Sequence, residues 1–414
     1  MGDTSNLMIR FLGEEDLNAS IGSGRMTADS AEPALLGGQN ANGLKLKVLH
    51  VGKYYPPHMG GIETHMQALC SELRNLVDLR VVVASSDDSA TEEVLDGVAV
   101  SRVPTRFTLA STPLCPGMIS RIRNDRSEII HLHLPNPMAV LGYLASRHRG
   151  HLIVTYHSDM VRQKILGPLF EPFLHAALRR SSAIITTSPN YLRSSPVLAR
   201  HQQRCHVIPL GIPTEKFDRC DPKIAEGIRR QYGDRLIVSV GRLVYYKGFE
   251  HLIRAMTRVR GNLLIIGEGP LRGALSALAE ELGVADRVHF MGKISHDLLV
   301  ACYHAAEVFV LASILRSEAF GIAQVEAMAT GLPVVNTQLD SGVPFVSINE
   351  QTGLTVPPAE PWALAEAVNR LLDNPDLRAS LGAAAALRAH QEFTLDAMAA
   401  RTMSLYEQVM KDGN

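Results

Sequence analysis

A chain of 414 residues with 46% hydrophobic and 20% charged residues has a soluble globular balance and is too long for one ordinary core, so two domains are expected. Its five cysteines, Cys70, Cys115, Cys205, Cys220 and Cys302, are odd in number and lack CxxC or zinc-type spacing, which excludes a disulfide scaffold and fits a reducing cytoplasm. The first thirty residues lack a basic start followed by an apolar core, and no run reaches the roughly 18–20 apolar residues of a membrane span, so neither export nor membrane crossing is expected.

Net charge is −1 but unevenly spread: residues 45–212 carry 19 basic against 12 acidic side chains, and residues 213–414 carry 20 against 24. The basic half admits an anionic membrane surface, with solvated scatter as the plainer reading. Aromatic and basic residues do not interleave as single-stranded nucleic acid requires, so no nucleic-acid partner is expected.

Residues 1–44 are rich in Gly, Ala, Ser, Asn and Asp without a sustained period, and read as a disordered leader within which Met26 offers an alternative start. From Lys45 the pattern changes. LKVLHVG, LRVVVASS, EIIHLHLP, HLIVTYHS, AIITTSP and HVIPLGI are short β-branched runs, most of them separated by helical segments. In the first such segment Ile62, Met66, Leu69, Leu73 and Leu76 recur at three- and four-residue intervals, an apolar stripe that can lie on a sheet. A polar stretch from Pro213 to Asp234 interrupts the rhythm, which restarts with RLIVSVG, NLLIIGEG, RVHFMG, EVFVLAS and PVVNT. From Trp362 to Met410 the pattern is helical. Two α/β domains follow, each a doubly wound parallel sheet with helices on both faces, facing a cleft. In such sheets ligands sit beyond the carboxyl ends of the strands.

The loops at those ends carry the chemistry. SEAFGIAQVEAMATGLP places Glu318 before a helix running from Ile322 to Thr330 and Glu326 one turn inside it. Gly321 at the helix mouth lets a phosphate approach free N–H groups at the positive end of the dipole. Two carboxylates beside that cradle suit sugar hydroxyls, with capping and surface charge as the ordinary alternative. GRLVYYKG supplies Arg242 and Lys247, two cations fit for a diphosphate, unless both are plain surface charges. Gly60 and Gly61 precede a helix without a GxGxxG fingerprint, and GEGP at 267–270 is a further glycine-bearing strand end that often is only a tight turn. His131, His133 and His157 lie in or just after apolar strands. Core histidines are the ordinary reading, and His157, beside Ser158 and Asp159, has the best claim to the cleft. No second ligand set stands at zinc spacing, so no metal site is expected.

GG after the first strand, GRLVYYKG, GEGP and the Glu, seven residues, Glu pattern at 318 and 326 together resemble the retaining nucleotide-sugar glycosyltransferases of the GT-B fold, family 4, from about Lys45 to Met410. The resemblance implies a leader over 1–44, an acceptor-side Rossmann-like domain over 45–212, a nucleotide-sugar-binding domain over 213–393, and a helix over 394–414 crossing back to brace the first domain. It implies that Arg242 and Lys247 bind the donor diphosphate, Glu326 the ribose and Glu318 the sugar hydroxyls. Gly60, Gly61, Phe320 and Gly321 would approach the donor through backbone, and Met291 and Gly292 would border the base. His157 matches the family's active-site histidine and His133 a residue on the acceptor side. The implied reaction is front-side transfer with retained anomeric configuration, in which the leaving phosphate helps deprotonate the acceptor. No cofactor and no metal are expected, and EDTA-sensitive transfer would contradict this.

The segment from Tyr156 to Pro196 is further similar to bacterial members that build exopolysaccharide or O-antigen, often mannosyltransferases using GDP-mannose and lipid-linked or oligosaccharide acceptors. Within it MVRQKILGPLFEPFLHAALRRS is apolar with Arg162, Lys164, Arg179 and Arg180 at its ends, so it could rest on an anionic inner-membrane surface or pack on its own domain. A sugar-nucleotide epimerase of the same architecture and a non-catalytic nucleotide-sugar-binding protein are the alternatives. A dehydrogenase is disfavoured by the missing GxGxxG turn.

Overall fold

The computed structural model describes residues 43–58, 60–109, 112–159 and 166–412. The expected leader therefore lies outside the described residues, apart from its last two. The first half contains strands β1 (Lys47–Val51), β2 (Asp78–Ala84), β3 (Thr91–Leu95), β4 (Val98–Val103), β5 (Phe107–Leu109), β6 (Thr112–Leu114), β7 (Ile129–Leu134), β8 (His151–Tyr156), β9 (Ala183–Thr186) and β10 (Cys205–Val207). The second contains β11 (Leu236–Val240), β12 (Asn262–Ile266), β13 (Val288–Gly292), β14 (Val308–Val310), β15 (Val334–Thr337) and β16 (Gly353–Val356).

Two large sheets result, with strand orders β10-β9-β8-β7-β1-β2-β4-β3 and β13-β12-β11-β14-β15-β16, and β5 pairs with β6 in a small sheet of its own. Each large sheet has a point where the chain order reverses, between β1 and β7 in the first and between β11 and β14 in the second. A crevice opens at such a point beyond the strand ends, and every loop singled out from the sequence follows a strand of one of these two sheets.

Burial on both faces explains the near-continuous apolar runs. In β11, Leu236 and Val238 enter the core on one face and Ile237 that on the other. In β7, Ile130, Leu132 and Leu134 pack on one face, so by the two-residue period His131 and His133 share the other with Ile129. That second face is covered by the helix Gly61–Leu73 and by the last helix, Leu395–Asp412, whose Met398, Met403, Tyr406 and Val409 enter the core of the first sheet.

The sequence led to the expectation of a wholly parallel first sheet, and the structure corrects this. β3 runs antiparallel to β4 across a two-residue turn in which Asp96 and Gly97 both have positive φ, 51° and 80°. Asp-Gly is the residue pair that such a turn requires, so this hairpin was written in the sequence and passed over. Strand β16 and the small β5–β6 pair were also missed. Leu76, counted in the apolar stripe, lies beyond the helix end at Leu73. The polar stretch 213–234 contains a helix, Pro222–Tyr232, started by the Asp221 side chain accepting from Lys223 N.

Candidate functional site

At the reversal point of the second sheet, the loops after β11 and β14 meet. The Lys247 ammonium lies 2.6 Å from Glu318 Oε2, with the two side chains only 14% and 10% exposed. Ser313 Oγ donates to the same carboxylate oxygen at 2.9 Å. Arg242, on the same loop as Lys247, is exposed and has no side-chain hydrogen bond or ion pair among the described residues. One cation is thus held by a carboxylate and the other is free for an anion.

The helix Ile322–Ala329 begins at this pair. Gly321 is its N-cap, with φ 77°, and no side chain caps it. A Cβ there would come within 2.7 Å of Leu311 Cδ2 and 2.9 Å of Gln324 Nε2, so fold as well as ligand access demands glycine. Phe320 is buried, edge-on to Phe393 at 5.7 Å between ring centres, and its carbonyl accepts from Gln324 Nε2. Its side chain belongs to the core, which leaves only its backbone for a ligand. Glu326 accepts from the Tyr303 hydroxyl at 2.8 Å. Burial raises its carboxyl above the usual range, against the pull of Tyr303, His296 and Lys247. Glu318, Glu326 and Lys247 therefore form one electrostatic group.

Met291 and Gly292 are the last two residues of β13, an edge strand. The Gly292 carbonyl accepts from Gly267 N at 2.8 Å, and Gly241 N donates to Ile266 O at 2.9 Å. A Cβ on Gly267 would strike the Gly241 carbonyl. The GEGP glycines thus stitch neighbouring strand ends together.

At the reversal point of the first sheet, Gly60 is the N-cap of the helix Gly61–Leu73, again without a side-chain cap, and a Cβ on Gly61 would meet nothing within 4 Å. That open approach suits a ligand at the helix end. His157 follows β8, is buried, and bonds Leu134 O through its backbone N–H.

Here the fold assembles what linear spacing hid. His50 and His65, both unremarked in the sequence, join His131, His133 and His157. His50 Nδ1 lies 2.9 Å from His133 Nε2, and His133 Nδ1 lies 3.4 Å from His157 Nε2. The Tyr406 hydroxyl, from the last helix, lies 3.1 Å from His50 Nε2 and 2.6 Å from His131 Nδ1, while His131 Nε2 meets Thr155 Oγ1 at 2.6 Å. Burial holds all five imidazoles neutral, His50 down to about 3, His65 to about 4 and the others well below the ordinary value. His133, expected on the acceptor side, is only 1% exposed, with His50 beside one ring nitrogen and His157 beside the other. The HLH alternation predicts His131 and His133 on one face; the β1–β7 register that brings His50 opposite His131 is tertiary.

The two halves are clasped beside these groups. Arg316, two residues before Glu318, lies 2.7 Å from Asp159, two residues after His157, and donates to Ser194 O at 3.1 Å. Asp159 also accepts from Tyr156 and Ser195. Sequence gave no signal for this pairing, which joins loops 157 positions apart.

The helix Leu166–Arg180 buries Leu174, Ala177 and Leu178 and leaves Leu169 and Phe173 exposed, 71% and 45%. Residues 160–165, which include Arg162 and Lys164, lie outside the described residues. Among the described residues no helix is long and apolar enough to cross a membrane.

Comparison with known proteins agrees with this layout. Residues 59–216 match the family described as Glycosyltransferase Family 4, and residues 221–388 match Glycosyl transferases group 1. The chain is 32% identical to D-rhamnosyltransferase WbpZ of Pseudomonas aeruginosa, over 84% of this chain and 92% of that protein. It is 31% identical to O-antigen chain mannosyltransferase C of Escherichia coli, over 88% and 99%. Among solved structures, a sucrose-phosphate synthase from Thermosynechococcus elongatus superposes with a TM-score of 0.71 at 23% identity, covering 88% of this chain and 100% of that one.

Proposed function

Since this chain belongs to the family 4 and group 1 glycosyltransferases and has the GT-B fold, we propose that it is a retaining hexosyltransferase moving mannose from GDP-mannose to a lipid-linked or oligosaccharide acceptor in cell-surface polysaccharide synthesis. The observation that carries the reading is the meeting of Lys247 and Glu318 beside an unpartnered Arg242 and an uncapped helix N-terminus. Donor phosphates would lie on Arg242, Lys247 and the Gly321 backbone. Glu326 would accept from the ribose hydroxyls and Glu318 from those of the sugar, with Met291 and Gly292 beside the base. Gly60 and Gly61 would approach the diphosphate from the other half, and His157 would stand beside the transferred sugar. Incoming phosphate competes with Glu318 for Lys247, so donor entry frees the carboxylate for hydroxyls.

As the glycosidic bond to phosphate breaks, negative charge grows on the leaving diphosphate. Two fixed cations and helix N–H groups stabilise that charge, so no metal is needed at the phosphates. The protein offers hydroxyl acceptors to an oxocarbenium-like sugar and leaves the acceptor proton to the departing phosphate. The relatives named as rhamnosyl- and mannosyltransferases favour a deoxyhexose or hexose, and a relative named as GDP-mannose-dependent favours mannose carried on GDP, which is our choice. Exposed Leu169 and Phe173, on a helix ending in Arg179 and Arg180, support contact with an anionic membrane at the cytoplasmic face.

Incubation with GDP-mannose and an extracted lipid-linked acceptor, followed by NMR of the product's anomeric proton, tests the reaction. An α-mannoside is expected; a β-mannoside would refute retention, and free epimerised sugar without acceptor would indicate an epimerase. Flotation with liposomes should be stronger with anionic lipid, and no flotation on either composition would refute membrane contact.

A further inference from the structure

We propose that His65, His133 and His157 hold a zinc-type divalent metal ion in the first sheet's half of the molecule, apart from the donor phosphates. One ring nitrogen from each lies within 4.8 Å of the others. Three elements supply them: the helix Gly61–Leu73, strand β7, and the loop after β8.

Two observations separate these three from an ordinary core cluster. First, His65 is 8% exposed, and neither ring nitrogen has a hydrogen-bond partner among the described residues. A buried imidazole left without partners costs stability, and a metal bond would offset that cost at one of its two nitrogens. Second, the contact between His133 Nδ1 and His157 Nε2 is 3.4 Å, whereas His50 to His133 is 2.9 Å. The longer distance is poor for a hydrogen bond, whose N–H donors usually stand about 2.9–3.0 Å from their acceptors. It equals the edge of a tetrahedron with metal–nitrogen bonds of about 2.0–2.1 Å, which is about 3.3–3.4 Å.

The remaining hydrogen bonds fit one proton order. With the metal on His133 Nδ1, its proton resides on Nε2 and is donated to His50 Nδ1. His50 then donates from Nε2 to the Tyr406 oxygen, Tyr406 donates to His131 Nδ1, and His131 donates from Nε2 to Thr155. Every imidazole nitrogen and the Tyr406 hydroxyl in that chain is satisfied, and through His50 it forms the outer shell that orients the metal-bound His133. The neighbouring trio His50, His131 and His133 also lies close enough for a metal, but His50 and His131 already use both nitrogens, so it serves as that shell. The neutral state of the three ligands is the one that binds metal. Three protein ligands leave a fourth position for water.

The test uses the full chain, purified without a histidine tag from zinc-supplemented cells. One equivalent of zinc per chain is expected, replaceable by cobalt with the visible absorption of tetrahedral Co²⁺. His65→Gln and His65→Ala should keep the fold, since no described protein group bonds the His65 ring, yet bind zinc at least 100-fold more weakly. His50→Ala, which removes the group that accepts from ligand His133, should weaken zinc by about 10–100-fold, as loss of an outer-shell partner does. His201→Ala, at the separate His175–His201 pair, should bind as the parent does. Added zinc should raise the Tm of the parent and not of the His65 variants. A parent chain that takes up neither zinc nor cobalt overturns the proposal. So does uptake unchanged by His65→Gln and His65→Ala, or uptake lost in His201→Ala instead. Because every readout is metal content, spectrum or melting, a wrong sugar or donor would leave the result intact.

Discussion

Replacing Lys247 by Met probes the centre of the candidate site. The ion pair with Glu318 is 2.6 Å long with both side chains at most 14% exposed, so solvent screens it little. Lys247→Met leaves Glu318 charged with Ser313 as its one remaining side-chain partner. An uncompensated buried charge costs about 3–5 kcal/mol. At about 2–4 °C per kcal/mol for a domain of this size, Tm should fall by about 6–20 °C. Adding Glu318→Gln removes the stranded charge, and the double variant should recover to within about 1.5 kcal/mol of the parent, because a buried pair and a neutral pair of similar volume are often nearly equivalent. Activity should not recover. Loss of a cation that stabilises leaving-group charge costs about 10²–10³ in kcat/KM, and both variants should show it. Differential scanning fluorimetry and initial rates on the four proteins of the cycle give both readings. Strictly additive stability losses would refute the pair, and recovery of rate in the double variant would refute a role for Lys247 at the diphosphate.

Gly321→Ala forces a side chain onto a residue with φ 77° and against Leu311 and Gln324, so it should destabilise the second half by about 1–3 kcal/mol even without ligand; unchanged melting would leave ligand access as the glycine's sole purpose. Glu326, with its carboxyl raised by burial, loses acceptor capacity on acidification while exposed glutamates are still ionised. Donor KM should therefore rise as pH falls through that raised value, and Glu326→Gln should have a high KM with little pH dependence. A KM that stays flat down to pH about 4.5 in the parent would contradict this. The same shift means that Glu326 favours the folded state below its unfolded value, and that this contribution is lost as pH rises through the folded one. Adding Mg²⁺ or Mn²⁺ should change the transfer rate less than about twofold if, as proposed, Arg242 and Lys247 serve the diphosphate; strict dependence on either ion would show that a metal bridges the phosphates.

Much of the candidate site in the second half was legible in the sequence because its structure is local. The helix from Ile322, its glycine mouth, and the loops carrying Arg242 and Lys247 are each set by a few neighbouring residues: a strand, a turn and a start signal. Alternating strands and helices likewise announced two parallel sheets, since burial on both faces demands runs such as LIVSV and NLLII. The antiparallel β3 was missed despite its Asp96-Gly97 turn, because TEEVL is exposed or half-buried and carries little apolar signal.

The sequence by itself determined which residues could act at each strand end, because the two-residue period of a strand and the cap of a helix are near-neighbour effects. Tertiary structure decided who meets whom. The Lys247–Glu318 pair depends on β14 lying next to β11, and the Arg316–Asp159 clasp on the two halves meeting. The histidine cluster needs β1 beside β7, the first helix above both, and Tyr406 carried back by the last helix from 356 positions beyond His50. Strand order and helix return are set by the packing free energy of the whole chain, in which no single segment carries the outcome.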